Sequence, residues 1–183
     1  TSLNFKILLP WGAAVCSGVL LFLGYAGFDH FYLEWLFLVP LLWALRDQRP
    51  ARAFSLGWLA GIVGHAGGFY WIIQMFQQFA GAPFVAGVFG LLLLAAANGM
   101  VLALWAWGTT VLTRGRQWRV LWVAPVLWTA IEKLWPEVFP NYIGASQYRI
   151  AHLTQIADLA GILGVSFLLV YINATLYWVT LRW

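Results

Sequence analysis

Residues 84–112 read FVAGVFGLLLLAAANGMVLALWAWGTTVL, a run without a single acidic, basic or histidine side chain. About 20 apolar residues are enough for a helix to cross the roughly 30 Å of hydrocarbon in a bilayer. At about 1.5 Å per residue, a helix over this run is too long to stand upright, so we expect it to tilt or to project from the membrane. The run predicts a membrane-spanning helix.

The composition of the whole chain agrees with this interpretation. Of the 183 residues, 63% are hydrophobic and 9% are charged, whereas ordinary globular domains carry roughly 25% charged residues. Most of the exterior must therefore face lipid, and the 13 Trp and 7 Tyr suit the membrane–water interface. The apolar runs are continuous and lack a period of two, which argues against a barrel. We predict an all-α, polytopic transmembrane helix bundle that forms one domain over residues 1–183.

Five further apolar runs accompany residues 84–112 and give about six predicted spans. The second is short, and we expect Pro40 to kink it. Only Lys6 precedes the first run as a charge, so we interpret that run as a permanent helix and not as a signal peptide. The predicted spans cover residues 7–27, 31–45, 54–75, 84–112, 118–135 and 161–181.

The charged residues between the runs predict the orientation. Arginines cluster in the loops 46–52 and 113–119, which fall on the same side as Lys6 and Arg182. Because basic loops stay in the cytoplasm, both termini are predicted to be cytoplasmic. The polar segment FPNYIGASQ (139–147) then lies on the outer face. Short basic clusters of this kind are topology signals, so we expect no nucleic-acid partner.

Small residues in the third run predict close helix packing. The glycines follow one another at intervals of four, three and four residues and therefore share one stripe of a helix. The stripe favours close packing within the bundle, and a groove that admits a lipid tail is the alternative. The four residues are Gly57, Gly61, Gly64 and Gly68.

Two reactive side chains lie inside predicted spans. His65 could act as an axial ligand of a haem or chlorin, but a single histidine with no second candidate nearby is more typical of packing. Cys16 has no flanking base that would activate it, so we expect a buried, inert thiol. We therefore expect no cofactor and no metal site.

Polar residues gather after the fifth run. Pro136 and Pro140 prevent the helix from continuing, and irregular backbone cannot face hydrocarbon unpaired. Residues 148–160 then carry apolar side chains at three- and four-residue spacing, which predicts a helix lying along the membrane surface. We expect an outer loop and interfacial helix at about 136–160, serving either as a connector or as a ledge for a phospholipid head group or an external domain. The ledge residues are Glu132, Phe139, Pro140, Asn141, Gly144, Ser146, Gln147 and Asp158.

Two motifs here resemble a known family. The pattern E-x-L-W-P-E-x-F-P-N-Y-x-G-A-S-Q begins at Glu132, and Q-I-A-D-L-x-G-x-x-G-V-S-F-L-x-V-x-x-N-A begins at Gln155. Both are similar to the membrane portion of bacterial apolipoprotein N-acyltransferase. Three upstream stretches agree with it: FDHFYLEWLFLVPLLWAL (28–45), RPARAFSLGWLAG (49–61) and GFYWI (68–72).

The resemblance implies an activity. That family moves an acyl chain from a phospholipid to the amino group of the N-terminal diacylated cysteine of a lipoprotein. It implies a Cys nucleophile that carries the chain as a thioester, with a Glu base and a Lys stabiliser, on an outward-facing nitrilase-like domain outside these residues. Cys16, Glu132 and Lys133 do not match that triad, so no catalytic residue is assigned. Asn141 stands where the family more usually has tryptophan.

Two functional hypotheses remain, along with a pigment or haem binder through His65 as a weaker third. In the first, the chain is the membrane platform of an N-acyltransferase in the bacterial inner membrane. In the second, it is a non-catalytic structural or lipid-binding subunit of a larger membrane complex. The expected partners are phospholipid and, in addition, a lipoprotein substrate or other membrane subunits.

Overall fold

The computed structural model describes residues 2–25, 27–136, 139 and 141–182, and within them the chain forms α-helices, short 3-10 helices and no strand. The predicted all-α fold is confirmed. The 3-10 helices cover Phe31–Trp35, Gln117–Arg119 and Ile143–Gln147. The α-helices are α1 (Ser2–Gly24), α2 (Leu38–Leu45), α3 (Pro50–Gly68), α4 (Ile72–Ala80), α5 (Phe84–Thr113), α6 (Val120–Leu134) and α7 (Ala151–Thr180).

Helix length and composition identify the strongest membrane spans. Among the described residues, α5 and the Ala157–Thr180 part of α7 are each long and apolar enough to cross a bilayer. Helices α3 and α4, bent by 51° where they meet, would together provide a third crossing. Leu8–Gly24 and Phe31–Leu45 are apolar but shorter. The chain is thus a helical membrane protein, and the count of six spans stays a prediction.

The glycine stripe of α3 faces two neighbouring helices. Gly57 and Gly61 lie against α5, where a methyl group added at Gly61 would be 2.5 Å from the Cα of Gly99. Gly64 lies against the side chain of Leu21 in α1, and Gly68 lies against the ring of Tyr25, the residue after α1. The stripe therefore brings the backbones of α3 and α5 together and makes room for side chains of the first helix and of the residue after it.

The second predicted span is interrupted between Trp35 and Leu38, within the turn that precedes Pro40. A 3-10 helix ends at Trp35 and α2 begins at Leu38, so Pro40 lies in the first turn of α2, where amides need no intrahelical partner. Asn173 of α7 holds the break together. Its Oδ1 accepts from the Leu38 amide at 2.9 Å, and its Nδ2 donates to the Glu34 carbonyl at 2.9 Å. The interior amide thus bonds to the backbone of a neighbouring element, as buried polar groups in a membrane must.

The third predicted span is bent, and the expected burial of Cys16 was wrong. The third predicted span is interrupted at residues 69–71, so α4 leaves at an angle to α3. Cys16 is exposed and not buried, because α1 packs through Ala14, Ser17 and Leu21, which occupy the opposite face of the helix. Lipid accepts apolar side chains on the outside of a bundle, so an apolar setting in the sequence does not imply burial by protein.

The bundle has two distinct ends. At one end, Arg46 after α2 and Arg114 after α5 line the same cavity, and we call it the arginine end. At the other end, the segment 139–147 lies against the 3-10 helix Phe31–Trp35, and we call it the loop end. This separation is the one that the charge distribution predicts.

Candidate functional site

The segment 139–147 folds back onto the bundle and is fixed to two helices. Its 3-10 helix begins at Ile143, whose amide donates to Glu132 Oε1 of α6 at 2.9 Å. The next amide, of Gly144, donates to Ser166 Oγ of α7 at 3.1 Å. The first amides of a helix have no partner within it, so these two side chains supply the partners that the segment lacks.

Gly144 allows the segment to lie directly on α7. A Cβ added at this position would be 2.7 Å from the Ile162 carbonyl oxygen and 3.0 Å from the Ser166 amide nitrogen. Both are backbone atoms that cannot turn away. The backbone contact therefore requires glycine, which the sequence provides within the motif IGASQ.

Gln147 fixes the other end of the segment to the 3-10 helix Phe31–Trp35. Its Oε1 accepts from Trp35 Nε1 at 3.1 Å, and its Nε2 donates to the Phe31 carbonyl at 3.0 Å. The same Nε2 donates to Ser146 Oγ at 2.8 Å, and Ser146 Oγ donates to the Ile143 carbonyl at 2.7 Å. Gln147 is only 1% exposed. A side chain this enclosed positions the backbone and is not available to a ligand.

Aromatic rings support the start of the segment. Phe139 packs against Trp71 with ring centroids 5.4 Å apart and against Phe69 at 6.2 Å. Pro140 lies outside the described residues. Half-buried Asn141 borders a space of about 10 Å³, together with Glu132 and His65, which is room for about one water molecule.

His65 belongs to the packing around this segment. Its Nδ1 donates to the Gly61 carbonyl at 2.7 Å, and its ring stacks on Phe69 with centroids 5.9 Å apart. In the described part of the chain, no group of three or more His, Cys, Asp or Glu side chains could hold a metal ion. His65 as an axial ligand therefore stays a prediction.

An exposed polar cluster continues from the segment. Arg149 pairs with Asp29 at 2.6 Å and donates through Nε to the Tyr148 hydroxyl at 2.9 Å. The Tyr148 hydroxyl donates in turn to Asp29 Oδ1 at 3.0 Å. The Tyr148 hydroxyl and then the Asp29 carboxylate raise the pKa of Arg149. A permanent positive charge therefore lies at the surface of the loop end.

A mainly apolar cleft of about 220 Å³ opens between the segment and α7. Gly144 and Tyr148 form one wall, and the other wall comes from α7 through Leu153, Ala157, Ile162 and Val165. Because hydrogen bonds to α6 and α7 fix the segment, the wall is in place before any ligand arrives. The size and lining of the cleft suit part of a hydrocarbon chain.

The helix α7 is broken beside this cleft. Gly161 has φ of +68°, a conformation that favours glycine, and its ψ of 179° is not helical. Residues 151–160 therefore form a helical stretch distinct from the one that follows, and its position along the membrane surface stays a prediction. Asp158 is exposed on this stretch, and none of the hydrogen bonds described above reaches it.

Five of the eight predicted ledge residues fall into two groups, while Phe139 and Asn141 lie at the start of the segment and Pro140 lies outside the described residues. Glu132, Gly144, Ser146 and Gln147 form one buried, hydrogen-bonded unit, while Asp158 lies apart on the exposed helix. Whether these residues bind a lipid or a partner stays a prediction.

Sequence reasoning missed the partners that the segment meets in residues 28–35 (FDHFYLEW). Trp35 donates to Gln147 of the segment, and Asp29 accepts from Arg149, which lies two residues beyond the segment. Glu34 is fully buried, and neither carboxylate oxygen has a hydrogen-bond partner among the described residues. Two carboxylates next to an apolar run are unusual in a membrane chain, and that signal could have identified this stretch.

Comparison with known proteins identifies a family that matches most of the chain. The family model described as "Apolipoprotein N-acyltransferase N-terminal domain" matches residues 17–175. An apolipoprotein N-acyltransferase of Geobacter metallireducens is 32% identical over 170 residues, which cover 90% of this chain and 32% of the relative.

Other relatives agree with this match. An apolipoprotein N-acyltransferase of Pasteurella multocida is 28% identical over 178 residues, covering 94% of this chain and 33% of the relative. The apolipoprotein N-acyltransferase 2 of Leptospira interrogans is 27% identical over 163 residues, covering 88% and 27%. The chain therefore spans about a third of the length of these curated relatives. It belongs to the apolipoprotein N-acyltransferase family and corresponds to the N-terminal domain of that family.

Proposed function

We propose that this chain is the membrane platform of an apolipoprotein N-acyltransferase. It holds a phospholipid at the loop end, on the outer side of the bacterial inner membrane, while an acyl chain passes to the N-terminal amino group of a lipoprotein. The observation that carries this proposal is the apolar cleft of about 220 Å³ beside the fixed segment 139–147. The family match supports the reaction class.

The lining of the cleft suits an acyl chain. Leu153, Ala157, Ile162 and Val165 offer it carbon contacts, and close packing against side chains is what favours association within a membrane, where the acyl chain is already out of water. Because the segment is held by Glu132, Ser166 and Gln147, binding does not have to order it.

The polar cluster beside the cleft suits a head group. Tyr148 lines the cleft and accepts from Arg149, whose guanidinium is exposed at the surface. A guanidinium is a preferred partner of phosphate oxygens. One phospholipid then places its acyl chain in the cleft and its phosphate beside the guanidinium N–H donors of Arg149 that its bonds to Asp29 and Tyr148 leave over.

The family resemblance implies that the covalent chemistry takes place on a nitrilase-like domain outside residues 1–183. There a cysteine thiolate attacks the ester of the phospholipid, which forms a thioester and releases a lysophospholipid. The amine of the lipoprotein then attacks the thioester and gives its proton to the Glu base, which forms an amide and frees the cysteine. The platform contributes to both steps by positioning the lipids, since a fixed orientation lowers the entropic cost of reaching the transition state.

A chimera tests the proposal. These residues replace the matching third of the Geobacter metallireducens relative, and acyl transfer from phospholipid to a diacylated cysteine peptide is measured. We expect an active chimera. Ala157→Trp fills the cleft and should lower kcat/KM for the phospholipid roughly tenfold, which corresponds to the loss of about 1.4 kcal/mol of packing contacts with the acyl chain.

Ala97→Trp on the exposed face of α5 is the matched control and should leave kcat/KM unchanged. A chimera that inserts and folds but transfers nothing would contradict the proposal and favour a non-catalytic subunit of a larger complex. Equal losses of kcat/KM in the two tryptophan variants would show that the cleft does not bind the phospholipid.

A further inference from the structure

A second cavity, of about 250 Å³, lies at the arginine end, where the last turns of α2, α5 and α7 meet. The proposed function makes no use of it, because that function concerns the opposite end of the bundle. Its polar lining includes two guanidinium groups, two side-chain amides and hydroxyl groups of α5. These residues are Arg46, Arg114, Gln48, Gln117, Thr109 and Thr110.

The charges around this cavity do not balance within the chain. Arg46 Nε lies 3.6 Å from the carboxylate of Asp47, which also lines the cavity, and its guanidinium lies over the Trp43 ring at 5.7 Å. Arg114 forms no ion pair with any residue that the structure describes. The lining therefore offers one positive charge that no carboxylate of the described chain neutralises.

Two hydroxyl groups of α5 are also left without partners. Thr113 Oγ1 donates to the Thr109 carbonyl at 2.8 Å, which is the usual bond of threonine within a helix. The hydroxyls of Thr109 and Thr110 are buried and have no hydrogen-bond partner in the described part of the chain, and Thr109 is 3% exposed. A buried hydroxyl without a partner is destabilising and calls for a physical reason. Both residues line this cavity.

We propose that the cavity at the arginine end binds the phosphodiester head group of a membrane phospholipid. Arg114 matches the single negative charge, and the hydroxyls of Thr109 and Thr110 and the amides of Gln48 and Gln117 donate to the phosphate oxygens. Leu42 and Val120, which also line the cavity, contact the carbon atoms next to the phosphate. When the helices span a bilayer, this end lies at head-group level.

The surrounding helix ends disfavour a highly charged anion. The last turns of α2, α5 and α7 line this cavity, and each helix end carries a partial negative charge. Arg114 opposes this negative potential, so a phosphodiester, which has one negative charge, is repelled less than free phosphate, which carries more charge near neutral pH.

Lipid titration of the delipidated protein, followed by native mass spectrometry, tests the site. All samples carry Ala157→Trp, so that the loop-end cleft does not contribute to binding. We expect dioleoyl phosphatidylglycerol to bind and dioleoylglycerol, which lacks the phosphate, to bind at least about tenfold more weakly. Arg114→Gln should weaken phosphatidylglycerol binding by about tenfold, and Thr109→Val should weaken it by a smaller factor.

Arg116→Gln is the matched control, because Arg116 is exposed in the same loop but does not line the cavity. Equal effects of the Arg114 and Arg116 variants would overturn the proposal, as would equal binding of the two lipids. Displacement of the lipid by an equal concentration of inorganic phosphate would also overturn it, in favour of a free-phosphate site.

Discussion

At the loop end Gln147 makes three hydrogen bonds to described partners, whereas at the arginine end the hydroxyl of Thr109 makes none. Both side chains are almost fully buried. Polar groups inside a membrane bundle are costly unless they are paired. The difference in hydrogen bonding therefore indicates that Gln147 and Thr109 have different roles. Paired groups such as Gln147 hold the backbone, while unpaired groups around a cavity are available to a ligand.

The largest expected effect comes from removing the paired group. Gln147→Ala leaves Trp35 Nε1 and the Phe31 carbonyl without their partner in a buried setting, which should lower the free energy of unfolding by about 3 kcal/mol. Denaturant unfolding in detergent measures the loss. Gln78→Ala, at an exposed position of α4, serves as the control and should change little.

An equally small effect of both glutamine variants would show that Gln147 does not hold the loop end together. In that case the fixed wall of the cleft would lose its main support, and the comparison between the two ends would fail.

A smaller effect, of opposite sign, is expected at the arginine end. Thr109→Val removes an unpaired buried hydroxyl and should leave the free energy of unfolding of lipid-free protein unchanged or raise it by up to about 1 kcal/mol. Thr113→Val, one turn further along α5, removes a hydroxyl that is bonded to the Thr109 carbonyl and should cost about 0.5–1 kcal/mol. The same unfolding assay compares the two variants. A loss at Thr109 as large as that at Gln147 would mean that the two ends do not differ.

The sequence predicted those parts of the fold that depend on local composition. The run 84–112 corresponds to α5 at Phe84–Thr113, because an uninterrupted apolar run of this length has few alternatives to a helix in lipid. The break within residues 31–45 was not predictable in this way. It depends on Asn173, which is 135 residues away from Leu38 in the chain.

The candidate site was predictable as a region but not as a set of contacts. Polar residues between apolar runs marked 139–147, since they are costly in lipid. Which of them face one another depends on tertiary structure: Gln147 bonds across 112 residues to Trp35, while the bend at Gly161 separates the helix that carries Asp158. Cys16 shows the same limit, because the apolar pattern of α1 does not reveal which face meets protein.

We propose that the segment 139–147 faces the outside of the inner membrane and that the arginine end faces the cytoplasm. Single cysteines at exposed positions of each end, Ala145→Cys and Gln117→Cys, test this in a Cys16→Ser background with a membrane-impermeant maleimide. We expect Ala145→Cys to react in spheroplasts and Gln117→Cys to react only after the membrane is permeabilised. The reverse pattern of labelling would contradict the account.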